Sequence, residues 1–200
     1  MADKYDAILL FGAPGAGKGT QGKMLSAIPG YVHLSTGDMF RGLDKATPLG
    51  KEIVGYMSTG ELVPDELTVR LFGEHVQGMA EAGSFSPATD ILMLDGIPRS
   101  AEQARLVADA ANVVAIVHFI AADESKLIAR LKGRALKEDR PDDAKEDVVR
   151  RRLQVYHGET KPILDQFDAG LVHEVDAIGL PARVLLRVLE NIVPVLEAHN

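Results

Sequence analysis

Residues 12–21 read GAPGAGKGTQ, placed directly after the apolar run Ala7-Ile8-Leu9-Leu10-Phe11 and directly before a stretch with helical pattern. Strand, glycine-rich loop, lysine, hydroxyl and helix follow one another in the order that binds nucleotide phosphates. Glycines let backbone N–H groups converge on an anion with no Cβ in the way. The helix that follows points its positive end at the same anion. Lys18 supplies a mobile charge for the β- and γ-phosphates, and Thr20 a hydroxyl near a bound magnesium ion. Gly12 and Gly17 keep the spacing G-x-x-x-x-G-K, but the next residue is Gly19, so the hydroxyl arrives one place later than in the general motif. A plain glycine-rich turn would explain the glycines. It would not explain the lysine, the hydroxyl and the flanking strand and helix together.

Outward from this loop, short apolar runs alternate with longer amphipathic stretches. The pattern predicts strands at 5–11, 31–34, 91–94, 113–120 and 171–175. It predicts helices at 18–27, 64–82, 101–111, 124–132, 143–167 and 181–198. Such alternation implies a parallel sheet covered on both faces, because parallel strands need crossover connections. The helix at 143–167 carries Arg150-Arg151-Arg152 in its first half, and Pro162 is expected to bend or break it. Two segments depart from the alternation. Residues 35–85 hold several helical patterns and no convincing strand, as a helical insertion would. Residues 133–143, GRALKEDRPDD, are polar and charged and read as a surface loop. Both are candidate substrate elements on a rigid scaffold.

Composition narrows the function classes. With 200 residues the chain can form one domain with a substantial core. A net charge of −7 argues against a general nucleic-acid binder, so cations that handle phosphate have to be gathered locally. The absence of cysteine excludes disulfides and thiolate metal sites. The N-terminal apolar run is short and interrupted by charges, unlike a signal peptide, and no segment approaches a membrane span. A cytoplasmic protein without membrane or nucleic-acid partners is expected.

A second phosphate-handling site is legible at 91–100, ILMLDGIPRS. An acidic residue closing a strand beside a phosphate loop commonly orients magnesium or its waters, and Asp95 fits that role. Arg99, just beyond, has a planar fork suited to phosphate. The segment STGDMFR at 35–41 carries a helix cap at Ser35 with Asp38 three residues on, and Thr36 and Arg41 are candidates to meet a ligand.

GAPGAGKGTQ, STGDMFR, GELVPDEL (60–67) and LDGIPRSAEQ (94–103), in this order, resemble the adenylate kinases, a family of nucleoside monophosphate kinases. Lys-Gly-Thr after the loop glycine is that family's form of the phosphate loop, and the likeness runs from Ile8 to Gly179. The resemblance implies an α/β fold: a P-loop NTPase-type parallel five-stranded sheet with helices on both faces, a helical NMP-binding insertion (35–85) and a short lid (133–143). The core would be 1–34, 86–132 and 144–200. It further implies that Gly15, Ala16, Gly17, Lys18, Gly19, Thr20, Arg130, Arg134 and Gly179 hold ATP. Thr36, Arg41, the backbone of Glu61, Leu62 and Val63, then Gly96, Ile97, Pro98, Arg99 and Gln103 would hold AMP, with Arg140 and Arg152 closing on the phosphates.

The catalytic charges would be Lys18, Arg99, Arg134, Arg140 and Arg152, with Mg²⁺ brought by ATP and held near Thr20 and Asp95 through water. The substrates and products would be ATP, AMP and ADP, and the protein a monomer. Gln103 can match adenine's amino group and adjacent ring nitrogen. Ile97 stands where the family usually has phenylalanine. The stretch from Asp142-Asp143 to RLQVY is one residue longer than the family pattern, leaving Arg151 and Arg152 as alternatives; Arg152-Leu153 with Tyr156 keeps the family spacing. His33, His118 and His157 have no motif role, and packing is the expected one. With no cysteine, no structural zinc is expected in the lid; Arg134 and Arg140 are expected to meet ligand phosphates, and the partner of Arg140 to be the ligand rather than the protein. A UMP/CMP kinase is the runner-up in the same chemistry. A GTPase-like switch is the runner-up from another class, but an Asn-Lys-x-Asp guanine-reading motif is missing.

Overall fold

The structure is a computed structural model describing residues 4–138 and 140–199; residues 1–3, 139 and 200, parts of the expected core and lid spans, lie outside the described residues. Strand β1 (Tyr5–Gly12) is buried along almost its whole length, as a continuous apolar run predicts for the middle of a parallel sheet. Around it lie β2 (Tyr31–Ser35), β3 (Ile91–Asp95), β4 (Ala111–Ile120) and β5 (Val172–Asp176), in the order β2-β3-β1-β4-β5. All four pairings are parallel, with Leu10 opposite Asp95 on one side and Val117 on the other. The five-stranded parallel sheet expected from the sequence is therefore present.

The two-residue period of β1 sends Ala7, Leu9 and Phe11 to one face and Ile8 and Leu10 to the other. The first face packs against helices α4 (Asp65–Glu81) and α5 (Ala101–Ala110) through Phe72, Ala104 and Val107. The second packs against α1 (Lys18–Leu25) and α9 (Pro181–His199). In α9 the stripe Val184, Val188, Ile192 and Leu196 repeats every four residues and is buried throughout. Each such aliphatic side chain contributes about 1.5–3 kcal/mol by leaving water, which holds the layers on the sheet.

The helical insertion comprises α2 (Thr36–Arg41), α3 (Pro48–Thr59) and the first half of α4, with no strand between β2 and β3. It has its own small core of Ile53, Val63 and Leu71. Thr47 caps α3 by accepting from Gly50 N at 3.0 Å, and Gly60 ends it in the left-handed region.

Two expectations need correction. The segment 133–143 is not a loop throughout: α6 (Glu124–Lys137) continues five residues past the expected end, and α7 (Pro141–Ala144) forms a further turn. Arg134, Ala135, Leu136 and Lys137 are all good helix formers, and a charged surface does not stop a helix. The stretch 143–167 is broken, as Pro162 led one to expect, but well ahead of the proline and into more pieces than a single bend near its end. It divides into α8 (Glu146–Val155), a π-helical turn (Tyr156–Thr160) and a 3₁₀ helix (Lys161–Gln166). Pro162 lacks an N–H and its ring conflicts with the carbonyl four residues back, so the α-helical register is given up in the turn before it.

Candidate active site

The loop between β1 and α1 carries the first set of groups. Gly17 enters α1 with φ +95° and offers no side-chain cap, which leaves the first N–H groups of the helix for an anion. Gly15 has φ +85°, and a Cβ there would lie 2.6 Å from Leu127 O, so α6 and the loop touch at a position only glycine can fill. The Lys18 ammonium folds back onto the loop and donates to Gly12 O at 2.6 Å. Burial, aided by the nearby guanidinium groups of Arg99, Arg152 and Arg134 and opposed by Asp95, pushes its pKa down to about 8.

Asp95 ends β3 beside this loop, 9% exposed. Burial pushes its carboxyl up, but contact with His33 and the charges of Lys18 and Arg99 outweigh this and hold it below the usual range. His33 Nε2 stands 3.7 Å from Oδ2, too long for a hydrogen bond. Packing was the expected role of His33, and it does pack: a Cβ on Gly22 of α1 would collide with its ring. Its place behind Asp95 was not legible in the motif.

The second set of groups lies beyond Asp95. Arg99 donates from Nε to Gly96 O at 2.8 Å; burial and the neighbouring cations Arg152 and Arg41, against Asp95, lower its pKa to about 10. Thr36, buried at the start of α2, donates to Gly96 O at 3.0 Å. The Ser35 cap forms as expected, accepting from Asp38 N. Gln103 is 2% exposed and its carboxamide is engaged at both ends, with Oε1 accepting from Arg99 N and Nε2 donating to Asp65 Oδ1.

A single cleft joins the two sets. Gly15, Gly17, Lys18, Gly19 and Thr20 line one part of it; Thr36, Arg41, Glu61, Leu62, Val63, Gly96 and Gln103 line another; Asp95, Arg99, Arg134, Arg140 and Arg152 lie in the same lining. Ala16 and Ile97 are buried in the core instead, and Pro98 lines a smaller adjoining pocket. Arg130 and Gly179 are not among the residues lining the cleft. Arg130 donates to Ala177 O, which ties α6 to the segment that leads to Gly179. Of the two alternatives on α8, Arg152 lines the cleft, whereas Arg151 pairs with Glu61 at 2.8 and 3.2 Å.

Arg134 and Arg140 both have protein partners, which for Arg140 is contrary to expectation. Asp143, fully buried, accepts from Arg134 Nε and Arg152 Nη1 at 2.6 Å each, and Asp142 accepts from Arg152 at 3.1 Å. Arg140 meets Asp38 at 3.2 Å and Glu138 at 2.9 Å, and Asp38 also holds Arg41 at 2.6 Å. Burial pushes the Asp38 carboxyl up, but Arg41, Lys23 and Arg140 outweigh it and bring it down. So many cations in one cleft repel one another, and interleaved carboxylates offset that repulsion and hold them in place. The adjacent Asp142 and Asp143 were visible in the sequence, but their arginine partners are set by how α6 and α8 pack.

A model of the family "Adenylate kinase" matches residues 10–171. The chain belongs to the adenylate kinase family. Among similar proteins are adenylate kinases from Maricaulis maris (41% identical over 178 residues, 86% of this chain and 90% of the relative) and Nocardia farcinica (38% over 177 residues, 86% and 91%). One from Thermus thermophilus is 35% identical over 192 residues, 93% of this chain and 96% of the relative. As an adenylate kinase, the chain is a phosphotransferase with the P-loop fold that its sheet displays. Among the described residues no helix is long and apolar enough to cross a membrane, and no cluster of three or more histidines and carboxylates suited to a metal is found.

Proposed function

We propose that the cleft carries out reversible transfer of the ATP γ-phosphoryl group to AMP, giving two ADP. The observation that carries this reading is the convergence of two phosphate-handling sets, one on the β1–α1 loop and one around Gly96 and Arg99, in one cleft with cations between them. A nucleotide switch or hydrolase needs only the first set. ATP is assigned to Gly15, Ala16, Gly17, Lys18, Gly19, Thr20, Arg130, Arg134 and Gly179. AMP is assigned to Thr36, Arg41, the backbone at Glu61, Leu62 and Val63, the turn from Gly96 through Ile97 and Pro98 to Arg99, and Gln103.

Phosphoryl transfer demands in-line positioning and neutralisation of charge on the transferring oxygens. Lys18, Arg99, Arg134, Arg140 and Arg152 supply that charge from fixed directions. No general base is required, because the attacking AMP oxygen is already ionised at neutral pH. Closure of the segment carrying Arg140 keeps water from intercepting the phosphoryl group.

A magnesium ion brought by ATP suits the donors present. Asp95 is a buried carboxylate kept ionised beside the loop, and Thr20 is an exposed hydroxyl in the cleft lining. Mg²⁺ prefers such hard oxygens and keeps several of its waters, so one carboxylate with a hydroxyl is an adequate protein share. When bound, the ion neutralises phosphate charge. No zinc is assigned. A monomer in the cytoplasm, free of nucleic acid and membrane, completes the proposal.

The deciding experiment measures ADP formation from ATP with and without AMP. AMP-dependent production of two ADP per ATP supports the reading, and AMP-independent hydrolysis would overturn it.

A further inference from the structure

Asp65, the first residue of α4, falls within the stretch GELVPDEL but has no ligand role there, yet its carboxylate sits against the residue assigned to read the base. Oδ1 accepts from Gln103 Nε2 at 2.7 Å and Oδ2 accepts from Ser100 Oγ at 2.7 Å. Ser100 in turn caps α5, accepting from Gln103 N at 3.1 Å. On its other side the Gln103 carboxamide accepts from Arg99 N at 2.8 Å. A backbone N–H can only donate and an ionised carboxylate can only accept, so the two neighbours dictate which end of the amide is oxygen and which is nitrogen.

We propose that Asp65 is a specificity-determining residue: by locking the Gln103 amide in one orientation, it makes the acceptor site select a 6-aminopurine over a 6-oxopurine. The inference rests on the assignment of Gln103 to the AMP base. With Oε1 toward Arg99 and Nε2 toward Asp65, each end of the amide keeps one hydrogen-bonding valence. The free lone pair of Oε1 matches the exocyclic amino group of adenine, and the free hydrogen of Nε2 matches the unprotonated ring nitrogen beside it. Hypoxanthine and guanine present the reverse, an oxygen acceptor beside a ring N–H. To meet them the amide has to turn over, which sets its oxygen against the Asp65 carboxylate and its NH₂ against the Arg99 N–H. Both neighbours are lost at once and both become repulsive, in a site where Gln103 is nearly inaccessible to water. Selectivity therefore arises as much from penalising the wrong base as from bonding the right one.

The probe pair is AMP and IMP, which differ only at the position in question. Asp65→Asn keeps the shape and the first-turn polarity but can donate or accept toward Gln103, so turning the amide then sacrifices one neighbour instead of two. The preference for AMP over IMP, measured as the ratio of kcat/KM and as the ratio of calorimetric Kd values, is expected to fall about tenfold, the size of one hydrogen-bonded contact. KM for ATP and the melting temperature serve as internal standards and are expected to stay near wild type. Asp65→Ser, which also both donates and accepts, is expected to lower the ratio in the same direction if Asp65→Asn folds poorly. An unchanged AMP-to-IMP ratio in a folded variant, or loss of folding in both, overturns the proposal and leaves Asp65 as architecture. Gln103→Ala separates the two layers: if that variant leaves the ratio unchanged, the assignment of Gln103 to the base has failed; if it collapses the ratio while Asp65→Asn does not, only the role of Asp65 has failed.

Discussion

Replacing Asp143 by asparagine tests how the cleft keeps its cations in place. Asp143 is fully buried and accepts from Arg134 and Arg152 at 2.6 Å each. A carboxamide can accept from one guanidinium, but it turns its NH₂ toward the other. Hydrogen bonds to charged groups contribute about 1.5–3 kcal/mol apiece. The side chains of Arg134 and Arg152 are 29% and 21% exposed, so water offsets part of that. One such bond is lost and discounted for water, so the net destabilisation is about 1–2 kcal/mol, which for a domain of this size lowers Tm by about 2–8 °C. Both arginines are assigned to the transferring phosphoryl group, and misplacing such a group by about an ångström costs about a hundredfold in kcat. The neighbouring Asp142, with one longer contact at 3.1 Å, is the internal control, and Asp142→Asn is expected to lose about 1 kcal/mol or less. Calorimetric melting and a coupled ADP assay read both quantities. If Asp143→Asn melts and turns over like wild type, the carboxylate does not organise the arginines and the account of the cleft is wrong.

Other outcomes follow from the same geometry. Lys18→Ala is expected to fold but to lose turnover by about a thousandfold, since a preorganised charge on the reacting group is gone; near-normal turnover in a folded variant would remove the loop from the mechanism. Because the free enzyme's Lys18 titrates at about 8, kcat/KM for ATP is expected to decline as pH rises through that value. Its pKa is lowered on folding, so the unfolded chain binds more protons between about 8 and its ordinary 10.5, and this group makes stability rise with pH across that window. Melting curves of wild type and Lys18→Met across that same window would expose a wrong sign. Arg140→Ala gives up contacts to Asp38 and Glu138 that are partly exposed, so Tm is expected to shift by no more than a few degrees while kcat falls strongly; unfolding of the variant would make this segment structural. A zinc chelator that spares magnesium is expected to leave Tm and activity unchanged, and a lowered Tm would reveal a structural metal.

Much of the protein is decided by local chemistry and so is written in the order of residues. The uninterrupted apolar run at Ala7–Phe11, followed by glycines and a lysine, specifies a buried strand entering an anion-binding turn whatever surrounds it, because φ preferences and burial act over a few residues. The five strands, the helical character of 35–85 and the Ser35 cap are legible for the same reason. The path of the chain between residues 133 and 167 is not. Helix formers carry α6 to Lys137 despite their polarity, and the conflict between Pro162 and the preceding turn is relieved ahead of the proline as a π-helical turn. Above all, only the packed structure decides which charges meet. Asp143 reaches two arginines because α6 and α8 pack together through Leu127, Leu131, Val149 and Leu153, and Asp65 reaches Gln103 because α4 and α5 cover the same face of the sheet. Coulombic and hydrogen-bonding partners are chosen by distance in space, and for residues 38 positions apart, as Asp65 and Gln103 are, that distance is set by the packing of the helices on the sheet.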